Sequence, residues 1–379
     1  MGDSFIRVNI LVKDFKEVFY KGEIIMRKLA LLLGSLVVVA SASAKEVVPA
    51  PVVVEEAPVQ IVEKEVIVYR DKEEGFRPNG NIGLEYRAFG ETEGQDCGDW
   101  SSSDGDNYGR VQLSGAINMT EKQRLEFRVR NWNSLDQEDK LKTRKNGNET
   151  RLRYFYNHGN LGDSKVNLTS RVEYKDTSKQ KLHYQARFDF AEYLFNNDFV
   201  KTQYFQIQPG YTYEWKDGND SQYDSQVNLD LETMFSLPLG FNFEFNVYNT
   251  LHNYGSKDYY NGKATYIEEP SDNYTVDVEA KIYKSVELYA TEKTTLSLTF
   301  EGGYDDYSWS REDLAQKDHN FTYSVYANPF LRVDHQATEF VSLFAEVGAE
   351  YRNWAESNQC AAQDWRWQPV AAAGFNVAF

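Results

Sequence analysis

Cysteine is nearly missing from this sequence, with 2 residues in 379, so a disulfide-stapled miniprotein is excluded. Proline is scarce at 9 residues and glycine stands at 24, which excludes collagen-like and Pro-rich chains. Basic residues are in deficit: 41 Lys and Arg face 58 Asp and Glu, a net charge of -17. Phosphate contacts need a basic face, so no nucleic-acid partner is expected. Long apolar runs are absent apart from one near the N-terminus, which excludes a multi-span helical membrane protein. Aromatic residues, by contrast, are abundant at 15%, with 26 Tyr and 23 Phe. Mean hydropathy is low at -0.62, yet so many aromatic and β-branched side chains are not the composition of a disordered chain. The length fits two soluble domains or one large membrane barrel.

The one apolar run, Leu29 to Val39, follows Met26-Arg27-Lys28 and ends at Ala42-Ser43-Ala44. A basic start, a short apolar core and small residues at its end read as a signal peptide over 26–44, cleaved after Ala44. The run is short for a membrane span. Lys21 to Ile25 can be encoded by a stretch containing a ribosome-binding sequence. The expected start is therefore Met26, with 1–25 a mis-assigned upstream extension. Without residues 1–44 the chain carries 35 basic and 54 acidic residues. Residues 45–79 alternate Pro49, Pro51 and Pro58 with Val and Ala, then mix Val and Ile with Glu and Lys. They read as an extended periplasmic linker, a plug segment, an oligomer contact or a wall tether.

From residue 80 onward the pattern is alternation. Ile82, Leu84 and Tyr86 alternate with Gly83, Glu85 and Arg87, and Leu125, Phe127 and Val129 with Arg124, Glu126, Arg128 and Arg130. The same period recurs to Ala371, Ala373, Phe375, Val377 and Phe379. Period two means strands with one apolar face. About fourteen strands of roughly nine to fourteen residues follow, as a transmembrane antiparallel β-barrel over 80–379 requires. Connections alternate in length. Those near 119–123, 159–163, 196–200, 236–240, 291–293 and 335–339 are short, while those near 90–107, 133–149, 252–271, 308–318 and 354–364 are longer and polar. Short turns at one end and long loops at the other are how outer-membrane barrels are built. The connections after the fifth and seventh strands are shorter than this rule. A last strand ending on Phe379 is the kind of assembly signal that barrel-assembly machinery reads.

Met26 to Leu31, Ala44 to Val47, Val66 to Asp71 and Arg77-Pro78-Asn79-Gly80 resemble the fusobacterial major outer-membrane porin family (FomA-like). The resemblance covers the first part of the mature chain and the general strand pattern beyond it. Residues 1–25 depart from it. It implies a nonspecific, water-filled diffusion channel in the outer membrane, a homotrimer and a surface antigen.

Residues opposite the apolar sets are expected to face inward. In the first six strands a basic wall is expected from Arg87, Arg110, Arg128, Arg130, Arg151, Arg153, Arg171 and Arg187. In the remaining strands an acidic wall is expected from Asp230, Glu232, Glu244, Asp277, Glu279, Glu301 and Glu346. Arg128, Arg130, Arg151 and Arg153 are the candidate constriction, facing Glu232, Glu244, Asp277 and Glu279. Two opposed walls create a transverse field that favours small polar solutes; local pairing of the same charges is the alternative.

No zincin spacing, nucleophile elbow or phosphate loop occurs. Asp104-Gly105-Asp106-Asn107 and Asp217-Gly218-Asn219-Asp220 lack the full ligand set of a Ca²⁺ loop. His183 and Asp189 form no convincing constellation. No metal or cofactor is expected, and no enzyme. The expected function is passive diffusion of small hydrophilic solutes and ions, with outer-membrane lipid around the barrel. A surface adhesin with partners at the loops is the alternative, and an outer-membrane hydrolase the third reading.

Cys97 lies in the first long loop and Cys360 in the last. In a closed barrel the first and last strands are neighbours, so a Cys97–Cys360 disulfide across the seam is expected, against two free thiols. A non-reducing peptide map should contain the crosslinked pair; recovery of both cysteines as separate thiol peptides refutes it.

Overall fold

The computed structural model describes residues 75–90, 92–93, 108–135, 147–216, 219–255, 272–306, 308–315, 323–355 and 362–379. The expected signal peptide, the upstream extension, residues 45–74 and both cysteines lie outside them.

Among the described residues fifteen strands form one antiparallel sheet. They are β1 (Asn79–Phe89), β2 (Tyr108–Asn118), β3 (Gln123–Ser134), β4 (Gly147–Asn160), β5 (Asn167–Asp176), β6 (Gln180–Asp189), β7 (Lys201–Lys216) and β8 (Asn219–Leu237). Then follow β9 (Phe241–Tyr254), β10 (Asp272–Ala290), β11 (Thr294–Asp305), β12 (Trp309–Ser310), β13 (Ser324–Gln336), β14 (Val341–Ala355) and β15 (Ala362–Ala378). Neighbours in sequence pair in space, and β15 pairs back with β1, from Asn81 opposite Ala378 to Phe89 opposite Val370. The sheet is therefore a closed barrel of fourteen staves, because β12 continues β11 along the same side of β10. Asp306 makes the break between them. Its buried carboxylate accepts from Val278 N at 2.8 Å and Ser308 N at 3.0 Å. A side chain takes the place of a ladder carbonyl there, and Ser308 turns to φ 64.

Closure satisfies the two groups of backbone that an open sheet would leave bare. Gly80 N donates to Phe379 O at 2.8 Å, and Phe379 N donates back to Gly80 O at 3.0 Å. Two prolines lie where a ladder skips. The β6–β7 ladder breaks beside Pro209, and the β13–β14 ladder beside Pro329. Proline has no N–H to give to the ladder at these two gaps.

Stave length varies more than the sequence pattern indicates. β5 and β6 have 10 residues, while β8 and β10 have 19. The projecting parts of β8, β9 and β10 are held by polar pairs, as where His252 Nδ1 meets Asp224 at 2.7 Å and its Nε2 meets Thr275 at 2.9 Å. The turn expected at 196–200 begins earlier. β6 ends at Asp189, whose carboxylate accepts from Ala191 N at 3.0 Å and Phe205 N at 3.2 Å and bends the chain out of the sheet. Phe190 therefore starts the turn. Tyr193, Phe195 and Phe199 then lie exposed at the short-turn end, the placement of an interfacial aromatic belt.

The seam depends on small residues. On the inner face of β15, Val370, Ala372 and Gly374 are followed by Asn376. Phe344 lies directly opposite Gly374, and Phe330 opposite Gly348. A Cβ at Gly374 would meet the Leu84 carbonyl oxygen and come within 2.7 Å of the Phe344 ring. Gly374→Val is expected to overpack this seam and lower barrel stability by about 1–3 kcal/mol. A urea titration read by heat-modifiable gel mobility measures it; an unshifted midpoint contradicts the seam packing.

Candidate channel lining

The barrel is inside out. On its outer face Val227, Leu229 and Val347 keep more than half of their surface accessible, at 58, 53 and 58%. On its inner face Gln185, Gln208 and Thr212 are at 0%, and Arg171, Glu173, His183 and Asp230 are also buried. Exposing Val and Leu to water forfeits roughly 1.5–3 kcal/mol per side chain relative to an apolar medium. Burying charge is costly unless it is paired. Both penalties vanish if lipid surrounds the barrel and the interior is polar.

Strand register sorts the inner-face charges. Arg110 and Arg87 meet at Glu85, at 2.7 and 3.3 Å. Arg128 pairs with Glu149, which Arg130 and Lys175 approach at 3.9 Å. Arg130 donates to Gln112 at 2.6 Å, and Arg153 pairs with Glu173. Arg171 lies 3.4 Å from His183 Nδ1. Arg187 crosses to the other wall, donating to Glu232 at 2.7 Å. Among the described residues Arg151 has no ion pair, and it stands directly opposite Arg128 on β3 and Lys175 on β5. Like charges directly opposite each other destabilise a sheet.

Several of the acidic residues are held by neutral donors. Gln185 donates to Asp230 at 2.9 Å, and Gln208 to Glu232 at 2.9 Å. Tyr283 donates to Glu244 at 2.7 Å, and Tyr326 to Glu301 at 3.0 Å. Ser308 bonds the Asp277 side chain, and Lys281 pairs with Glu279 at 2.7 Å. Glu346 sits at the seam, between Arg87 and Arg332 (3.1 Å). Arg87 reaches it over Ala372, which is opposite both residues in register. Arg332 also stacks on Phe344, with its guanidinium carbon 4.4 Å from the ring centroid.

Local pairing is present at some of these charges and absent at others. Charges at Glu85, Glu149, Glu173, Glu232, Glu279 and Glu346 are paired locally, while Asp230, Glu244, Asp277 and Glu301 are bound by neutral groups and Arg151 has no ion pair among the described residues. Glu149 was outside the expected strands, in the loop ending at 149. The alternation Glu149, Arg151, Arg153 extends one step further back and would have placed it on β4. His183 meets Arg171 and not Asp189. Among the described residues no cluster of three His, Cys, Asp or Glu could hold a metal ion. The candidate loop 104–107 and residues 217–218 lie outside the described residues, as do Cys97 and Cys360.

Spaces open on the inner face among the described residues. One of about 660 Å³ is lined by Arg87, Lys281, Tyr283, Glu301, Tyr326 and Arg352 among others. The second, of about 290 Å³, is lined by Gln112, Ser114, Glu126, Arg128, Arg151 and Asn376 among others.

Comparison with solved structures finds similar chains among outer-membrane proteins. A bacterial polysaccharide outer membrane secretin is 11% identical, with 79% of this chain and 98% of that chain covered and a TM-score of 0.38. The outer membrane channel DcaP of Acinetobacter baumannii is 11% identical, with 80% and 96% covered and a TM-score of 0.37. An anion-selective porin from Comamonas acidovorans is 8% identical, with 80% and 100% covered and a TM-score of 0.35. No family model matches the sequence, and no curated protein matches it.

Glu149→Gln removes the anion shared by Arg128, Arg130 and Lys175. Breaking a buried ion pair from one side is expected to cost about 3 kcal/mol of barrel stability. Urea unfolding measures it; a loss within experimental error would mean that these cations need no counter-charge.

Proposed function

We propose that this chain is an outer-membrane porin, a water-filled channel for passive diffusion of small hydrophilic solutes and ions. The observation that carries this reading is the inverted fourteen-stave barrel, apolar outside and charged inside. Strands about 4.8 Å apart, tilted by about 40°, place opposite backbones roughly 28 Å apart in a barrel of this count. Side chains reaching inward by about 6 Å from each side still leave room for water between them. Eight-stranded barrels are filled by their side chains, whereas sixteen-stranded ones hold an aqueous channel. Charged walls then sort solutes by sign and polarity.

Three further elements belong to the same proposal. The resemblance in the first part of the mature chain supports membership of the fusobacterial porin family and assembly as a homotrimer. The pattern over 26–44 supports export by a signal peptide, with 45–79 as a periplasmic segment. Phe379, at the closing strand pair, suits recognition by barrel-assembly machinery. Catalysis is not part of this reading. His252 bridges Asp224 and Thr275 in an order that a hydrolase would use, but Thr275 is paired on both sides, with Thr250 and Ser310. Its surrounding amides belong to ladders and do not form an oxyanion-binding pair. The three residues act as a lock across β8, β9 and β10.

Single-channel recording of the purified protein in a planar bilayer tests the proposal. Stable, large, ohmic steps are expected, and Arg151→Ala with Arg153→Ala should shift the reversal potential in a KCl gradient toward cations. A heat-modifiable barrel that stays electrically silent overturns the channel reading.

A further inference from the structure

We propose that the inner-face row Lys181, Lys175, Arg151 and Arg128 is a binding track for multiply charged oxyanions. The inference rests on the channel reading and names the solute class that such a channel would handle. Register carries it. Arg128 on β3 is directly opposite Arg151 on β4, Arg151 is opposite Lys175 on β5, and Lys175 is opposite Lys181 on β6. Four cations therefore follow one another across four consecutive strands. Like charges directly opposite each other weaken a sheet, so the row costs stability unless something negative offsets it. Glu149 offsets it in part, bonding Arg128 and lying 3.9 Å from Lys175. Arg151 and Lys181 make no ion pair with any described residue, and the nearby Glu214 is engaged by Lys179 at 3.0 Å.

The row also leads somewhere. Lys181 is the second residue of β6 and Lys175 the last but one of β5, beside the hairpin 177–179. β5 and β6 are the shortest staves, so the barrel wall is lowest where the row begins. Arg128 lies in the middle of β3, and there it lines the cavity of about 290 Å³ together with Arg151, Gln112, Ser114 and Asn376. Glu126 faces the same space but is already bound by Arg124 at 2.9 Å. Neutral donors beside two guanidinium groups suit a phosphate or carboxylate, which guanidinium can grip through two parallel hydrogen bonds. A monovalent anion meets these cations one at a time. A polyanion engages neighbours together, and each further contact is intramolecular. The track therefore discriminates by valence.

Inorganic pyrophosphate is the probe, used on the full-length protein in two measurements. Calorimetric titration of the detergent-folded barrel reads binding without needing an open pore. Bilayer recording in KCl, with pyrophosphate added at the long-loop side, reads block of the current. Wild type is expected to bind pyrophosphate at least tenfold more tightly than orthophosphate and to show reversible, concentration-dependent block. Arg151→Gln combined with Lys181→Gln should weaken pyrophosphate binding at least tenfold. Lys181→Gln alone, at the rim and safe for folding, should weaken it about threefold. Lys201→Gln, exposed at the short-turn end, should leave it unchanged. A conducting barrel that binds no pyrophosphate at millimolar concentration overturns the track and leaves the channel standing. Equal binding by Lys181→Gln, the double variant and wild type also overturns it. Binding by an electrically silent barrel supports the track and removes the channel.

Discussion

The structure depends on a single constraint: a sheet with an apolar outer face cannot leave strand edges unpaired. In lipid no water is available to bond free N–H and C=O groups, and each one costs several kcal/mol. Pairing β15 with β1 removes both edges at once. Everything else follows from that closure. Alternation along each strand becomes an outside and an inside, and the polar alternates acquire a common enclosed surface. The ends of the staves become two rims, one with mostly short turns and one with mostly long connections.

Closure also imposes local geometry where the ends meet. The inner face of β15 is small, with Ala372 and Gly374 between the larger inner residues of β1 and β14. That allows Arg87 and Glu346 to meet across an intervening strand. Arg332 completes the group and stacks on Phe344, which covers Gly374. At the other end of the seam Phe89, Tyr108 and Val370 form the one buried apolar cluster among the described residues, with the Phe89 and Tyr108 rings stacked at 4.4 Å. The seam is thus held by packing and charge in addition to its ladder.

The interior distributes its charges unequally, and the partners explain the difference. Carboxylates of β8 to β11 are bound mostly by Gln, Tyr and Ser, groups that stabilise an anion without neutralising it. Guanidinium and ammonium groups of β3 to β6 outnumber the acids beside them, and Glu149 is shared among three. Strand order carries the cation-rich strands β3 to β6 and the carboxylate-bearing strands β8 to β11 to different parts of the circumference.

Much of this was legible in the sequence. Period-two alternation from Ile82 to Phe379 required strands with one apolar face, and alternating connection lengths required that they meander in order. Both signals are local, so they survive without knowledge of the fold. Details that depend on a side chain replacing backbone were not legible. Asp189 ending β6 early and Asp306 splitting β11 from β12 are examples, because a carboxylate accepting from a backbone amide leaves no periodic trace. Glu149 was missed for a related reason: it stands at the start of a strand, where alternation has only just begun. The sequence by itself determined which residues face lipid and which face inward, since parity along a strand is a property of the chain. Only the tertiary structure decided which inward charges meet. That depends on stagger between strands, which sets Arg128 opposite Arg151 and brings Arg87 to Glu346 over a distance of 259 residues in sequence.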